Sequence, residues 1–186
     1  MRQAFRENLC GTDFLPHLCK KLQTTPGNNA LYLLGARPGV AQKVARWITR
    51  HYPDVKIAGW QHGYYSCEEE PEVLSRIKSS GANILLVAFG APRQDVWIHK
   101  KLPETGVKLA MGVGGLFDFY SGRIPRAPIW VRELGMEWVY RLAQEPRRMW
   151  RRYVLGNGLF LIRVMRQAVT HRSTFLQRDS HSTLSQ

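Results

Sequence analysis

The chain has 186 residues, enough for one domain with a real hydrophobic core. Its hydrophobic share of 44% and charged share of 22% are ordinary for a globular protein. A net charge of +13 is not ordinary, and it predicts an anionic partner: nucleic acid, phospholipid or a phosphorylated substrate. The charge is concentrated: residues 121–178 hold 12 Arg, 3 Glu and no Lys or Asp. No stretch reaches about 18 apolar residues, so no membrane-spanning helix is expected. The start MRQAFRENLCG has no apolar core of a signal peptide. Cys10, Cys19 and Cys67 form no C-x-x-C pair, which argues against zinc ligation and for reduced thiols.

Residues 1–12 are polar, and Thr12 or Asp13 is placed to cap a short helix from Phe14 to Leu22. The apolar run Ala30 to Leu34 reads as a buried strand. Gly35-Ala36-Arg37-Pro38-Gly39 follows, then a helix from Val40 to His51 with Val40, Val44, Trp47 and Ile48 at helical spacing. Val55 to Trp60 is a second strand, ending at His62-Gly63-Tyr64-Tyr65, and the glutamates before Pro71–Ser79 suit a helix N-terminus. Asn83 to Phe89 is the third strand, followed by a helix from Gln94 to Lys101. Val107 to Met111 is the fourth. This βαβαβαβ order predicts an α/β fold, a Rossmann-like, mostly parallel sheet with helices on both faces.

After Gly122 the character changes. Trp130 to Gln144 reads as one helix. From Arg147 to Leu155, Arg147, Arg148, Arg151 and Arg152 share one side of a helix, opposite Met149, Trp150, Tyr153 and Val154. The expected division is an α/β domain over 1–128, a basic helical C-terminal appendage over 129–169 and a disordered tail over 170–186. The arginine face fits an interfacial helix on anionic lipid, arginines gripping a diphosphate, nucleic-acid binding or a plain solvated face. The chain carries no recognised nucleic-acid module, which puts lipid or diphosphate first.

Parallel sheets bind ligands at the carboxyl ends of their strands, and glycine there lets backbone N–H groups approach an anion. Gly35-x-x-x-Gly39 is either a tight turn or a helix start that receives a phosphate or nucleotide edge. In Gly90-Ala91-Pro92-Arg93-Gln94, the Gln94 amide suits a uracil ring or a sugar hydroxyl, or simply faces water. Asp95 is a base or an acidic first-turn residue. Gly112-Val113-Gly114-Gly115 suggests backbone approach to a ligand. Asp118, between Phe117 and Phe119, is expected to be partly buried; it could hold sugar hydroxyls, act as a base, or pair with Arg123 or Arg126.

Taken together, LYLLGARPGV, HGYY, NILLVAFGAPRQDVWI, MGVGGLFDFYSGRIPRAP and LGMEWVYRLAQEPRRMWRRY resemble the WecG/TagA/CpsF glycosyltransferase family. The GTDFLP segment is similar to it as well. The resemblance implies a bacterial enzyme that moves a sugar from a UDP donor to a lipid-linked sugar acceptor, typically on undecaprenyl diphosphate. It would act from the cytoplasm, peripheral on the inner face of the plasma membrane. It implies an inverting reaction with no metal and no cofactor. Gly35, Tyr64, Gly90, Gln94, Gly112, Gly114, Gly115 and Asp118 are the implied substrate-binding positions. Arg123, Arg126, Arg141, Arg148, Arg151 and Arg152 are the implied contacts to the acceptor diphosphate and an anionic membrane; nucleic acid is not an expected partner. Whether the chain forms a homo-oligomer is left open. The family also carries an N-terminal α/β segment whose Ala-Asp-Gly-type motif holds the proposed base. Relative to that pattern this sequence starts later, which suggests either a fragment that binds UDP-sugar or membrane without catalysis, or a substitute base among Asp13, Asp95 and Asp118.

Overall fold

A computed structural model describes residues 11–27, 29–134, 136–147, 163–164 and 166–167. The chain divides into two compact units, 1–125 and 126–186. In the first, α1 (Gly11–Thr24), β1 (Leu31–Gly35), α2 (Val40–His51), β2 (Ile57–Gln61), α3 (Glu70–Ser79), β3 (Ile84–Ala88), α4 (Arg93–Thr105), β4 (Leu109–Gly112) and α5 (Leu116–Tyr120) alternate along the chain. The strands form one four-stranded, wholly parallel sheet in the order β2-β1-β3-β4. The fold is the expected Rossmann-like α/β fold.

The strands β1 and β3 are central, so each has both faces covered and reads as a continuous apolar run. Their side chains still alternate. Leu31, Leu33, Leu86 and Ala88 join α1, α2 and α5 in one core, which includes Leu15, Cys19, Val44, Ile48 and Phe117. Tyr32, Leu34, Leu85 and Val87 face the other way, against Val73, Leu74 and Ile77 of α3 and Trp97 of α4. The period of two that places these residues on opposite faces is the pleat itself.

Several boundaries differ from expectation. The helix α1 runs Gly11–Thr24, so Thr12 and Asp13 sit in its first turn rather than capping it. It also contains Pro16, which has no N–H to give the carbonyl four residues back. That carbonyl, Thr12 O, accepts instead from Tyr120 Oη on α5 at 2.7 Å. The strands β2 and β4 begin two residues later than the apolar runs that announce them. The short helix α5 was not foreseen: the Gly112–Gly115 loop turns directly into it, with Leu116 N–H bonded to Val113 O.

In the second unit the single helix expected over Trp130–Gln144 is two, α6 (Ile129–Glu133) and α7 (Glu137–Gln144). Met136 N–H reaches Val131 O at 2.9 Å, a bond across five residues that ends the α-helical ladder. The sequence there contains Gly135, a poor helix former. Ile129, Trp130, Leu134, Met136 and Trp138 are all exposed. The arginine helix expected over 147–155 and the tail expected over 170–186 lie outside the described residues, Arg147 itself excepted.

Candidate active site at the carboxyl edge of the sheet

In a parallel sheet of order β2-β1-β3-β4, the chain leaves β1 toward one side and β3 toward the other, which opens a crevice beyond their carboxyl ends. Gly35 closes β1 at this point. It is paired with Ala88 of β3, has φ +121°, and a Cβ on it would lie 2.7 Å from the Ala88 backbone. Ala36 N–H then bonds Ala88 O at 2.9 Å, and Gly63 N–H bonds Ala36 O at 2.9 Å. Ala36 itself is held at φ 57°, the left-handed region that a residue with a Cβ seldom takes. A Cβ on Gly63 would meet the Phe89 ring at 2.8 Å and Gly35 Cα at 3.1 Å. The ends of β1, β2 and β3 are thus drawn together by residues with little or no side chain.

Gln94 organises the other half. It lies in the first turn of α4, is 7% exposed, and its own N–H bonds Gly90 O at 3.0 Å. Its side-chain Oε1 accepts from Gly90 N–H at 3.2 Å and from Gly114 N–H at 2.9 Å. One amide oxygen therefore ties the loop after β3 to the loop after β4. Gly112 is glycine for the same reason: a Cβ there would sit 2.6 Å from Gln94 Nε2. This revises the simpler expectation of an amide offering both edges to a ligand, because the acceptor is committed to the backbone and the donor nitrogen abuts Gly112. Gly90 and Gly114 have φ of +84° and +55°, which only glycine adopts without strain, and no atom would obstruct a Cβ on Gly90.

Gly115 precedes α5 and its carbonyl accepts from Asp118 N–H at 3.2 Å. Asp118 is 6% exposed, and its Oδ1 accepts from Arg123 Nη1 at 3.1 Å. Its backbone carbonyl also takes the Arg123 and Ile124 N–H groups. Of the roles open to it from sequence, pairing with Arg123 is realised, and burying a carboxylate demands such a partner. Arg123 accordingly lies in the first unit, engaged with Asp118. Asp95 is exposed in the first turn of α4, whereas Asp13 lies on α1, on the opposite face of the sheet. The three carboxylates are not one cluster.

Tyr64 follows Gly63 at the end of β2, is 67% exposed, and its N–H meets His62 Nδ1 at 3.3 Å. Gly35, Gly90, Gln94, Gly112 and Gly114 are thus brought together along the strand ends, with Tyr64 beside them. Arg126 and Arg141 belong to the second unit, and Arg148, Arg151 and Arg152 lie outside the described residues. Sequence reasoning passed over Arg93, whose guanidinium sits 5.0 Å from the centre of the Phe89 ring and brings a cation to the loop after β3. An arginine next to a helix start gave no separate signal. Ala36 was missed because a positive φ at alanine leaves no mark in a sequence.

Among the described residues no group of three His, Cys, Asp or Glu side chains is placed to hold a metal ion, and no helix is long and apolar enough to cross a membrane.

A doubly covered parallel sheet with glycine loops at its switch point defines a Rossmann-like α/β protein. The family described as Glycosyl transferase WecG/TagA/CpsF matches residues 1–174. The chain belongs to the WecG/TagA/CpsF glycosyltransferase family.

Proposed function

We propose that the protein transfers a sugar from a UDP donor to a sugar already linked to undecaprenyl diphosphate, in the synthesis of a bacterial cell-surface polysaccharide or teichoic acid. N-acetylmannosamine, its uronic acid and a hexose are the sugars in view. The observation that carries the donor half is the Gln94 oxygen, which holds Gly90 and Gly114 in one frame at the switch crevice. With their N–H groups committed to Gln94, the two glycines contribute shape rather than donors: loops without side chains leave room for a diphosphate to come close to the strand ends. Arg93 adds positive charge beside it.

In the proposed reaction a base takes the proton of the acceptor hydroxyl. The oxygen forms a bond to the anomeric carbon from the face opposite the leaving group, and the bond from that carbon to the phosphate oxygen breaks. UDP leaves with the electron pair, and the configuration inverts. Amide dipoles and guanidinium groups aimed at the departing diphosphate stabilise the charge that develops there. The resemblance supports a reaction that uses no metal. Asp118 acts first as a positioning residue, since Arg123 holds it; Asp95 and Asp13 are the other candidate bases.

The acceptor half rests on the second unit. Its exposed Ile129, Trp130, Leu134, Met136 and Trp138 lie among arginines, a composition suited to the boundary between headgroups and acyl chains. The protein would then act from the cytoplasm, peripheral on the inner face of the plasma membrane. A second reading is favoured by the scatter of the three carboxylates: a protein that binds UDP-sugar or membrane without catalysing transfer.

Calorimetric titration of UDP into the full chain tests the donor site. Wild-type protein is expected to bind, and Gln94→Ala to bind more weakly, since the loops after β3 and β4 lose the acceptor that holds them in one frame. Asp118→Ala should weaken binding as well. A folded wild-type chain that ignores UDP would refute the reading. Binding without turnover of a UDP-sugar and a lipid-linked acceptor would select the second one.

A further inference from the structure

We propose that the outer face of α2, continued by the end of α5 and the β2 edge, docks on an anionic phospholipid bilayer. This surface is separate from the strand-end site and uses none of the arginines of the second unit. It extends the membrane reading above and rests on it in one respect, that the protein works at a bilayer.

The inner face of α2 buries Val40, Ala41, Val44, Ala45 and Ile48. The helical period then forces Lys43, Arg46 and Arg50 to the outer side, with His51 beside them, and all four are exposed. The sequence of α2 contains no acidic residue. Neighbouring helices behave differently: α3 pairs Arg76 with Glu72, and α4 pairs Lys101 with Glu104. No ion pair forms at Lys43, Arg46, Arg50 or His51 among the described residues. Arg46 and Arg50 stand one turn apart and repel each other. An anionic partner would offset that repulsion by attracting both.

The face is also shaped. Lys43, Arg46, Arg50 and His51 line a hollow of about 410 Å³ together with Trp47 and Tyr120. The Trp47 ring lies 4.4 Å from Tyr120 and 4.5 Å from His51, centre to centre. Beside it a second hollow of about 480 Å³ shares Arg46 and Arg50 and adds Ala45, Ile57 and Trp60. Trp60 is 47% exposed and stands on β2, an edge strand. Cations next to an exposed tryptophan over an apolar hollow match the headgroup layer of a bilayer, where phosphates meet the start of the acyl chains. A nucleic-acid backbone would satisfy the cations but leave the apolar hollow unused.

Co-sedimentation of the full chain with vesicles tests this, using phosphatidylglycerol mixed with phosphatidylcholine against phosphatidylcholine alone. The triple variant Lys43→Gln, Arg46→Gln, Arg50→Gln should bind the anionic vesicles about a hundredfold more weakly, at roughly fivefold for each cation. Trp60→Ala should weaken binding to the same vesicles severalfold. A control of equal charge, Lys78→Gln, Lys100→Gln, Lys108→Gln, changes exposed lysines on the α3 and α4 side and should bind within a few fold of wild type. Equal losses in both triple variants would overturn the proposal, because net charge alone would then govern binding. Anionic-vesicle binding undiminished in the α2 variant would overturn it and leave the membrane reading standing. Wild-type chain that ignores anionic vesicles would overturn both, and duplex DNA held through these same residues would replace lipid by nucleic acid.

Discussion

Gly35 has no room for a Cβ and no tolerance for one. Its φ of +121° and the Ala88 backbone 2.7 Å from the missing atom both fix glycine there. Gly35→Ala is expected to destabilise the fold by about 2–4 kcal/mol, combining backbone strain with overlap against a strand that cannot move aside. Urea unfolding measures it, and an unchanged midpoint would show that the β1–β3 junction is looser than described. Gly63→Ala should cost less, because its tightest neighbour is the Phe89 ring, a side chain, and the nearest backbone atom, Gly35 Cα, is 3.1 Å away rather than 2.7 Å. These positions were legible only as glycines at strand ends; which of them are pinned by sterics and which by φ came from the packing. Cys19 shows a second residue-scale effect. Burial pushes its thiol from the ordinary 9.0 up to about 11. The native chain therefore keeps this proton after the unfolded chain has released it. The stability contribution is intact below pH 9 and is lost as pH rises through about 11. Cys19→Ala should be less stable overall yet lose less stability than wild type across that window. Parallel stability curves for the two proteins would rule the thiol out as the cause.

At the scale of elements, α1 and α5 illustrate how a local defect becomes a tertiary contact. Pro16 withholds a hydrogen bond from Thr12 O, and Tyr120 Oη supplies one from another helix at 2.7 Å. Tyr120→Phe is expected to cost about 1 kcal/mol. In a Pro16→Ala background the helix regains its own N–H donor, so the same substitution should cost less. A double-mutant cycle reads the difference, and identical costs in both backgrounds would mean that the two bonds do not compete. Element types were readable because periodicity is local: runs of apolar residues gave β1 and β3, and helical spacing gave α2 and α3. The breaks were harder. The division into α6 and α7 and the short α5 depend on one bond across five residues and on a loop that closes on itself, and neither leaves a periodic trace.

For the whole molecule, the alternation of strand and helix dictates a parallel sheet, since each return to the same edge needs a crossover. It does not dictate the order β2-β1-β3-β4. That order places β3 against β1 rather than β2, and with it the crevice between Gly35 and Gly90. The same order leaves β2 at an edge, where Trp60 stays exposed beside the cations of α2. Those cations were visible as letters but not as a surface. Attention in the sequence falls on the apolar side of a helix, and whether the polar side is ion-paired is decided by what packs next to it.

What the sequence determined by itself is whatever rests on neighbours along the chain: the α/β class, the glycine loops, the family resemblance carried by their spacing, and the excess of arginine after Gly122. What only the tertiary structure decided is whatever rests on neighbours in space. Gln94 proved to be a clamp between two loops, since the N–H groups it serves are 4 and 20 residues away. Asp118 proved to be half of an ion pair with Arg123, since a carboxylate buried this deeply needs a partner that the fold must bring to it. Periodicity is written in the chain; the partners of a buried polar group are chosen by the space that the fold leaves around it.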